Sequence, residues 1–283
     1  MKDKATDQAQ NLRDRMTGVR SGIKVITIAS GKGGVGKSSI SVNLAIALTR
    51  LGTRVLLVDA DFGLANVDVM FGVASRYNLS HFLRGEKTLS EIVQRGHGGV
   101  QFISGGSGVY ELLNMDEEEL ARIMGSLVRL DTPVDYILCD VGAGINDSIL
   151  QMVAASSETI IVTTPEPTSI LDAYALIKSI VKRDNLHPIH VIMNKSETKK
   201  EAEHVMQGLE EVLDRHLGKR VNQLGCILYD PDVPQSIKRQ MPIILTHPDG
   251  RMARDVDAVA RKMLALPVKT APLGLFAKLF SRG

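Results

Sequence analysis

The chain reads as an α/β protein, a single three-layer domain with a mainly parallel central β-sheet flanked by helices, and three observations predict it. Short apolar runs recur along the sequence, at 23–29, 54–59, 100–104, 134–140, 159–163, 189–193 and 224–229. Amphipathic stretches with apolar residues at helical spacing separate most of them. A glycine-rich turn joins the first apolar run to the first helical one. Strands that alternate with helices form crossover units, whose parallel sheet is covered on both faces. Such a sheet opens its crevice at the carboxyl ends of the strands, where the crossover loops emerge.

Composition narrows the class. The 283 residues are 44% apolar and 23% charged, enough for one large core. A net charge of +2 is too weak to predict wholesale nucleic-acid binding, so partners are read from local clusters. Cys139 and Cys226 both sit in apolar, strand-like runs and read as small core residues, which fits a reducing cytoplasm. No apolar run approaches the ~18 residues of a spanning helix, and the polar N-terminus lacks the apolar core of a secretion signal. Residues 1–22 are charged and weakly apolar, 23–266 hold the alternating elements, and Pro267 to Pro272 lead into a short tail, 267–283.

The first strand delivers Ser30, Gly31, Lys32, Gly33, Gly34, Val35, Gly36, Lys37, Ser38 and Ser39 to the start of a helix. This is a phosphate-cradling loop. Its glycines permit positive φ and bring backbone N–H groups against phosphate oxygens, while the helix N-terminus adds partial positive charge. Lys37 is predicted to neutralise the β/γ-phosphates, and the Ser38 hydroxyl to bind Mg²⁺. Lys32, two places into the loop, cannot easily fold back onto the same phosphates but can reach the nucleotide of a facing copy. A triphosphate then holds a dimer together.

The second strand ends at Asp59 and delivers Asp61 to the same sheet edge. Asp59 suits indirect contact with Mg²⁺, and Asp61 suits orienting the attacking water. By themselves the two also fit a solvated turn with helix-capping aspartates. The run 135–140 is a strand ending in Asp140, placed to hold Mg²⁺ through a water, and Gly142 and Gly144 let the next loop move with the γ-phosphate. In 165–174, Ser169 and Asp172 have the spacing of a capping-box variant at a helix start. Lys178, Lys182 and Arg183 on that helix can serve a partner, although a solvated face is the simpler reading.

These residues resemble the MinD/ParA group of deviant-P-loop ATPases, in the SIMIBI class of P-loop NTPases, over nearly all of 23–266. The resemblance implies ATP and Mg²⁺ as ligands, Lys32 as a lysine acting across a homodimer, Asp61 as the water-positioning residue and Asp140 as the Walker B aspartate. It implies Asn194 as an adenine contact and Tyr229 and Asp230 near the base pocket, where Tyr229-Asp230-Pro231-Asp232 departs from the usual Pro-x-Asp. The loop after Asp140 reads Val-Gly-Ala-Gly where related sequences tend to have Thr/Ala-Ala-Gly. Glu166 and Thr168 belong to a Glu-Pro-Thr-Ser run similar to one in flagellar-number ATPases, and are expected at the dimer face.

Two ends select a branch. Asp7, Gln8, Ala9, Leu12 and Arg13 match the D-Q-A-x-x-L-R motif of the flagellar-number ATPases FlhG, FleN and YlxH. In a helix Ala9, Leu12 and Met16 share one face for a partner, which the resemblance implies is the signal-recognition-type GTPase FlhF. A frayed polar tail is the alternative. At the other end Leu273, Phe276, Leu279 and Phe280 fall at helical intervals with Lys278 and Arg282 beside them, the composition of an interfacial helix on anionic lipid. So short a helix binds membrane weakly alone and far better when two are joined in a dimer. It can instead pack on its own domain.

The expected function is a regulatory ATPase switch: ATP-bound dimers on the cytoplasmic face of the inner membrane, ADP-bound monomers off it, setting flagellar number or placement. A flagellar transcription regulator or basal-body components are further expected partners. The alternatives are a MinD-like division-site regulator and a ParA-like partition ATPase, the latter needing a basic DNA-binding surface that composition does not predict. An iron–sulfur carrier on the same fold would need cysteine ligands that two strand cysteines do not supply.

Overall fold

The computed structural model describes residues 22–62, 66–106 and 117–268. The N-terminal motif at Asp7, Gln8, Ala9, Leu12 and Arg13 and the tail residues Leu273, Phe276, Lys278, Leu279 and Phe280 lie outside the described residues.

Eight strands form one sheet: β1 (Lys24–Ser30), β2 (Val55–Ala60), β3 (Gln94–Arg95), β4 (Gln101–Ile103), β5 (Tyr136–Ala143), β6 (Glu158–Thr163), β7 (Ile189–Ser196) and β8 (Asn222–Leu228). Their order is β3-β4-β2-β5-β1-β6-β7-β8, and every pairing is parallel except β3 with β4. Each of the seven expected runs became a strand. The antiparallel edge strand β3 was not legible, because two residues carry no periodicity.

Strand side chains alternate between two cores. On β5, Ile137, Cys139 and Val141 face one and Leu138 the other; on β1, Val25 and Ala29 oppose Ile26 and Ile28. Between β1 and β2 lies α1 (Lys37–Arg50), and after β8 comes α11 (Arg251–Met263); both cover one face. Eleven of the 14 residues of α1 are buried, which its near-continuous apolar run dictates. Its interior Asn43 is satisfied: Nδ2 donates to the Ser39 carbonyl and Oδ1 accepts from the Ile244 amide.

Between these come the short helices α2 (Val67–Phe71), α3 (Leu79–Leu83) and α4 (Leu89–Ile92). The opposite face is covered by α5 (Glu117–Leu127), α6 (Asp147–Ala155), α7 (Pro167–Arg183) and α8 (Lys199–Leu217). Two one-turn helices, α9 (Val233–Lys238) and α10 (Ile243–Thr246), precede α11. Among the described residues no helix is long and apolar enough to cross a membrane.

One local expectation is corrected. Glu166 is the N-cap residue of α7 and Pro167 occupies its first turn, with no side-chain cap. Ser169 bonds instead to Thr163 and, through Oγ, accepts from the Thr164 amide. Proline in the first turn needs no donor and sets φ, so the helix starts without a capping box.

Candidate nucleotide site

The carboxyl ends of β1, β2 and β5 converge on the loop 30–36. Gly34 and Gly36 have φ of 78° and 91°, so the loop curls into a concave run of amides at the start of α1. Gly36 cannot carry a side chain, since a Cβ there would lie 2.5 Å from Asn194 Nδ2. A Cβ on Gly31 would collide with the Asp172 carbonyl, which ties the front of the loop to α7.

Behind the loop is a buried ionic knot. Lys37 Nζ donates to Asp140 Oδ1 at 2.8 Å and lies 3.4 Å from Ser38 Oγ, and Ser41 Oγ donates to the same carboxylate oxygen at 2.9 Å. Asp140 Oδ2 is buried and has no hydrogen-bond partner. An orphaned hard oxygen beside a serine hydroxyl fits Mg²⁺, which takes oxygen ligands and retains water. Among the described residues no cluster of three or more His, Cys, Asp or Glu can hold a metal, so the remaining ligands would be phosphate and water.

Asp59 stands in register with Asp140 on the adjacent strand, and both are fully buried. Its oxygens accept from the amides of Asp61, Asn66 and Val67, at 3.2, 2.8 and 2.9 Å. Burial first, and the Asp140 charge second, push its carboxyl up to about 7 despite those bonds. Asp59 thus gathers the loop after β2, and Asp61 lines the cavity opposite Gly142.

At the front, Lys32 Nζ lies 3.0 Å from both Glu166 Oε2 and Thr168 Oγ1. The three residues assigned from sequence to the dimer face therefore meet. They are solvent-accessible, with Lys32 38% and Glu166 66% exposed, so their contacts can be exchanged at little cost.

On the other flank Asn194 Nδ2 donates to the Val35 carbonyl at 2.7 Å, and Lys195 Nζ to the Gly34 carbonyl at 2.7 Å. The expected base contact Asn194 is thus also a brace on the phosphate loop. Lys195 was missed by sequence reading, although its place beside Asn194 was a signal. Tyr229 is half exposed at the cavity rim. Asp230 is buried: Oδ1 accepts from the Asp232 amide and Oδ2 from the Met252 amide, so it shapes the rim by joining β8's exit to α11. The cleft has a volume of about 860 Å³, its floor the phosphate loop and its walls including Asp61, Gly142, Asn194 and Tyr229. That is ample for a nucleotide.

A strand, a glycine loop leading into a helix, a buried lysine and two aspartates toward the carboxyl ends of adjacent strands define a P-loop NTPase. Asp140, expected to end its strand, is followed by three more residues of β5, Val141 to Ala143. The family described as "ParA: NUBPL iron-transfer P-loop NTPase" matches residues 22–264. The chain is 34% identical to the antiactivator FleN of Pseudomonas aeruginosa over 89% of its length and 90% of that protein. It is 34% identical to the flagellum site-determining protein YlxH of Helicobacter pylori, over 84% and 80% of the two chains. Its fold is similar to MinD complexed with Mg-ADP from Pyrococcus horikoshii, with a TM-score of 0.72 and 25% identity over 86% of this chain and 97% of that one. The protein belongs to the ParA/MinD family of P-loop NTPases.

The iron transfer in that family description finds no ligand set among the described residues. Cys139 is fully buried on β5, its thiol pushed up to about 12 by burial and by Asp140. Cys226 lies on β8, four strands away in the sheet, roughly 19 Å at ordinary strand spacing. The two cannot share a metal or cluster.

Proposed function

We propose that the protein is a slow, Mg²⁺-dependent regulatory ATPase that dimerises with ATP, associates with the cytoplasmic membrane and controls flagellar number or placement. The observation that carries the reading is the pair of lysines on one loop: Lys37 buried against Asp140, and Lys32 exposed at the front beside Glu166 and Thr168. One is suited to a nucleotide in its own loop and the other to a facing copy. Likeness to FleN and YlxH along most of the chain favours the flagellar branch over division-site or partition roles.

In this reading the loop amides and Lys37 bind the phosphates, and Lys37 leaves Asp140 Oδ1 to do so. Bound Mg²⁺ supplies charge neutralisation at the β/γ-phosphates. Ser38 and Asp140 are the residues to hold it, with Asp59 behind them. Asp61 orients water toward the γ-phosphate, and Lys32 offsets charge from the opposite protomer. Asn194, Tyr229 and Asp230 border the base. The tail, through Leu273, Phe276, Lys278, Leu279 and Phe280, is the membrane contact, and the segment with Gln8 is the site for FlhF.

Co-sedimentation with anionic liposomes tests the switch, with Asp61→Ala holding the triphosphate state. Lipid binding in ATP but not ADP supports it, and loss on deleting 271–283 locates the contact. No binding in either state removes the membrane role and leaves a ParA-like ATPase acting away from lipid.

A further inference from the structure

β7 contains an extra residue opposite β8: the register shifts between Asn194 and Ser196, and Lys195 between them has φ 58°. In a regular strand, neighbours point to opposite faces. The bulge removes that alternation, and Asn194 and Lys195 both reach the phosphate loop. A left-handed lysine is strained, and such strain persists where the surroundings over-determine it, commonly at functional sites.

The two bonds fall on consecutive carbonyls, Gly34 and Val35. In a trans peptide the C=O and the next N–H point in opposite directions. Drawing these carbonyls outward to β7 therefore turns the amides of Val35 and Gly36 inward, the orientation an anion needs from a nest of N–H groups. Lys195 also lays its stem along the loop: its Cε is 3.8 Å from where a Cβ on Gly36 would be.

We infer that Lys195 is a positioning residue, which with Asn194 aims the Val35 and Gly36 amides at the nucleotide's phosphates. The inference rests on the nucleotide reading above and adds to it a residue and a physical role. Lysine is exposed here and reaches the Gly34 carbonyl only because the bulge directs it there.

Binding of a fluorescent ATP analogue with Mg²⁺, competed by ATP and by inorganic tripolyphosphate, tests it on the full chain. Lys195→Met is expected to weaken both competitors about tenfold, the worth of one charge-assisted hydrogen bond. Lys195→Arg should largely restore both. Lys195→Gly is the control for strain: glycine accepts φ 58° freely, so its melting temperature should not fall while its affinity drops as in the Met variant. Loss confined to ATP, with tripolyphosphate unaffected, would make Lys195 a base contact and overturn the inference, as would wild-type affinity in the Met and Gly variants. Should the unsubstituted chain bind no nucleotide, the reading of the site itself falls.

Discussion

Carboxylates at the two ends of the sheet meet opposite surroundings. At the carboxyl end Asp59 and Asp140 are buried side by side in register, and burial together with its neighbour's charge pushes Asp59 up to about 7. At the amino end Glu158 is drawn down to about 2 by His190, whose Nε2 lies 3.1 Å from Oε2, and then by Lys24, and Asp135 to about 2 by Arg54. One end holds two carboxyl groups close in a low dielectric with a single buried lysine, Lys37, on Asp140, and the other gives each acid a base of its own. The difference separates a place prepared for an outside cation and phosphate from one that is electrostatically complete.

The largest break in that contrast is Lys37→Ala. It removes the ion-pair partner that Asp140 has among the described residues and the main counter-charge for phosphate. ATP binding should be abolished in titrations, and the nucleotide-free protein should lose about 3 to 5 kcal/mol, the usual cost of stranding one buried charge. Unchanged nucleotide affinity would refute the loop assignment.

Asp61→Ala comes next. It should bind ATP within a few fold of wild type yet release phosphate on the order of 100-fold more slowly, so that dimers accumulate. A variant that stays monomeric with ATP in light scattering would remove the picture of dimers held by triphosphate.

Lys32→Ala should barely move the melting temperature, because its ion pair with Glu166 is exposed and worth about 1 kcal/mol or less. It should weaken dimerisation more than nucleotide binding. Equal losses in both would count against a role across the dimer.

The smallest effect separates the two ends by pH. Glu158 has a lowered folded value, so its contribution is present above the usual 4.5 and fades as pH falls toward about 2. Glu158→Gln should flatten that acid limb by about 1 kcal/mol or less, since the pair is partly solvated. Asp59 has a raised value, so its contribution has the opposite slope: present below the usual 3.8, and lost as pH rises through about 7. Denaturant midpoints of the nucleotide-free protein from pH 3 to 8 would read both limbs, and a midpoint that does not fall toward pH 8 would contradict the burial argument for Asp59.

Much of the site was legible because its chemistry is local. Gly31 to Ser39 are contiguous, and Asp59 and Asp140 each follow an apolar run, which sufficed to bring them to one edge even though β5 runs on past Asp140 to Ala143. The capping box at Ser169 was misread because spacing cannot reveal that Pro167 already begins the helix, nor that Thr163 and Thr164 compete for the serine hydroxyl. Lys195 escaped because a bulge is decided between strands and leaves no signature in a single run.

The sequence by itself determined the alternation of strands and helices, the phosphate loop and the two aspartates that follow apolar runs, since short-range periodicity and backbone freedom are properties of adjacent residues. Only the tertiary structure decided that Lys37 locks onto Asp140 from 103 residues away, that Lys32 rests on Glu166 and Thr168, and that Lys195 turns back onto Gly34. Those contacts depend on strand order and register, which follow from how the whole chain buries its two cores and not from any one segment.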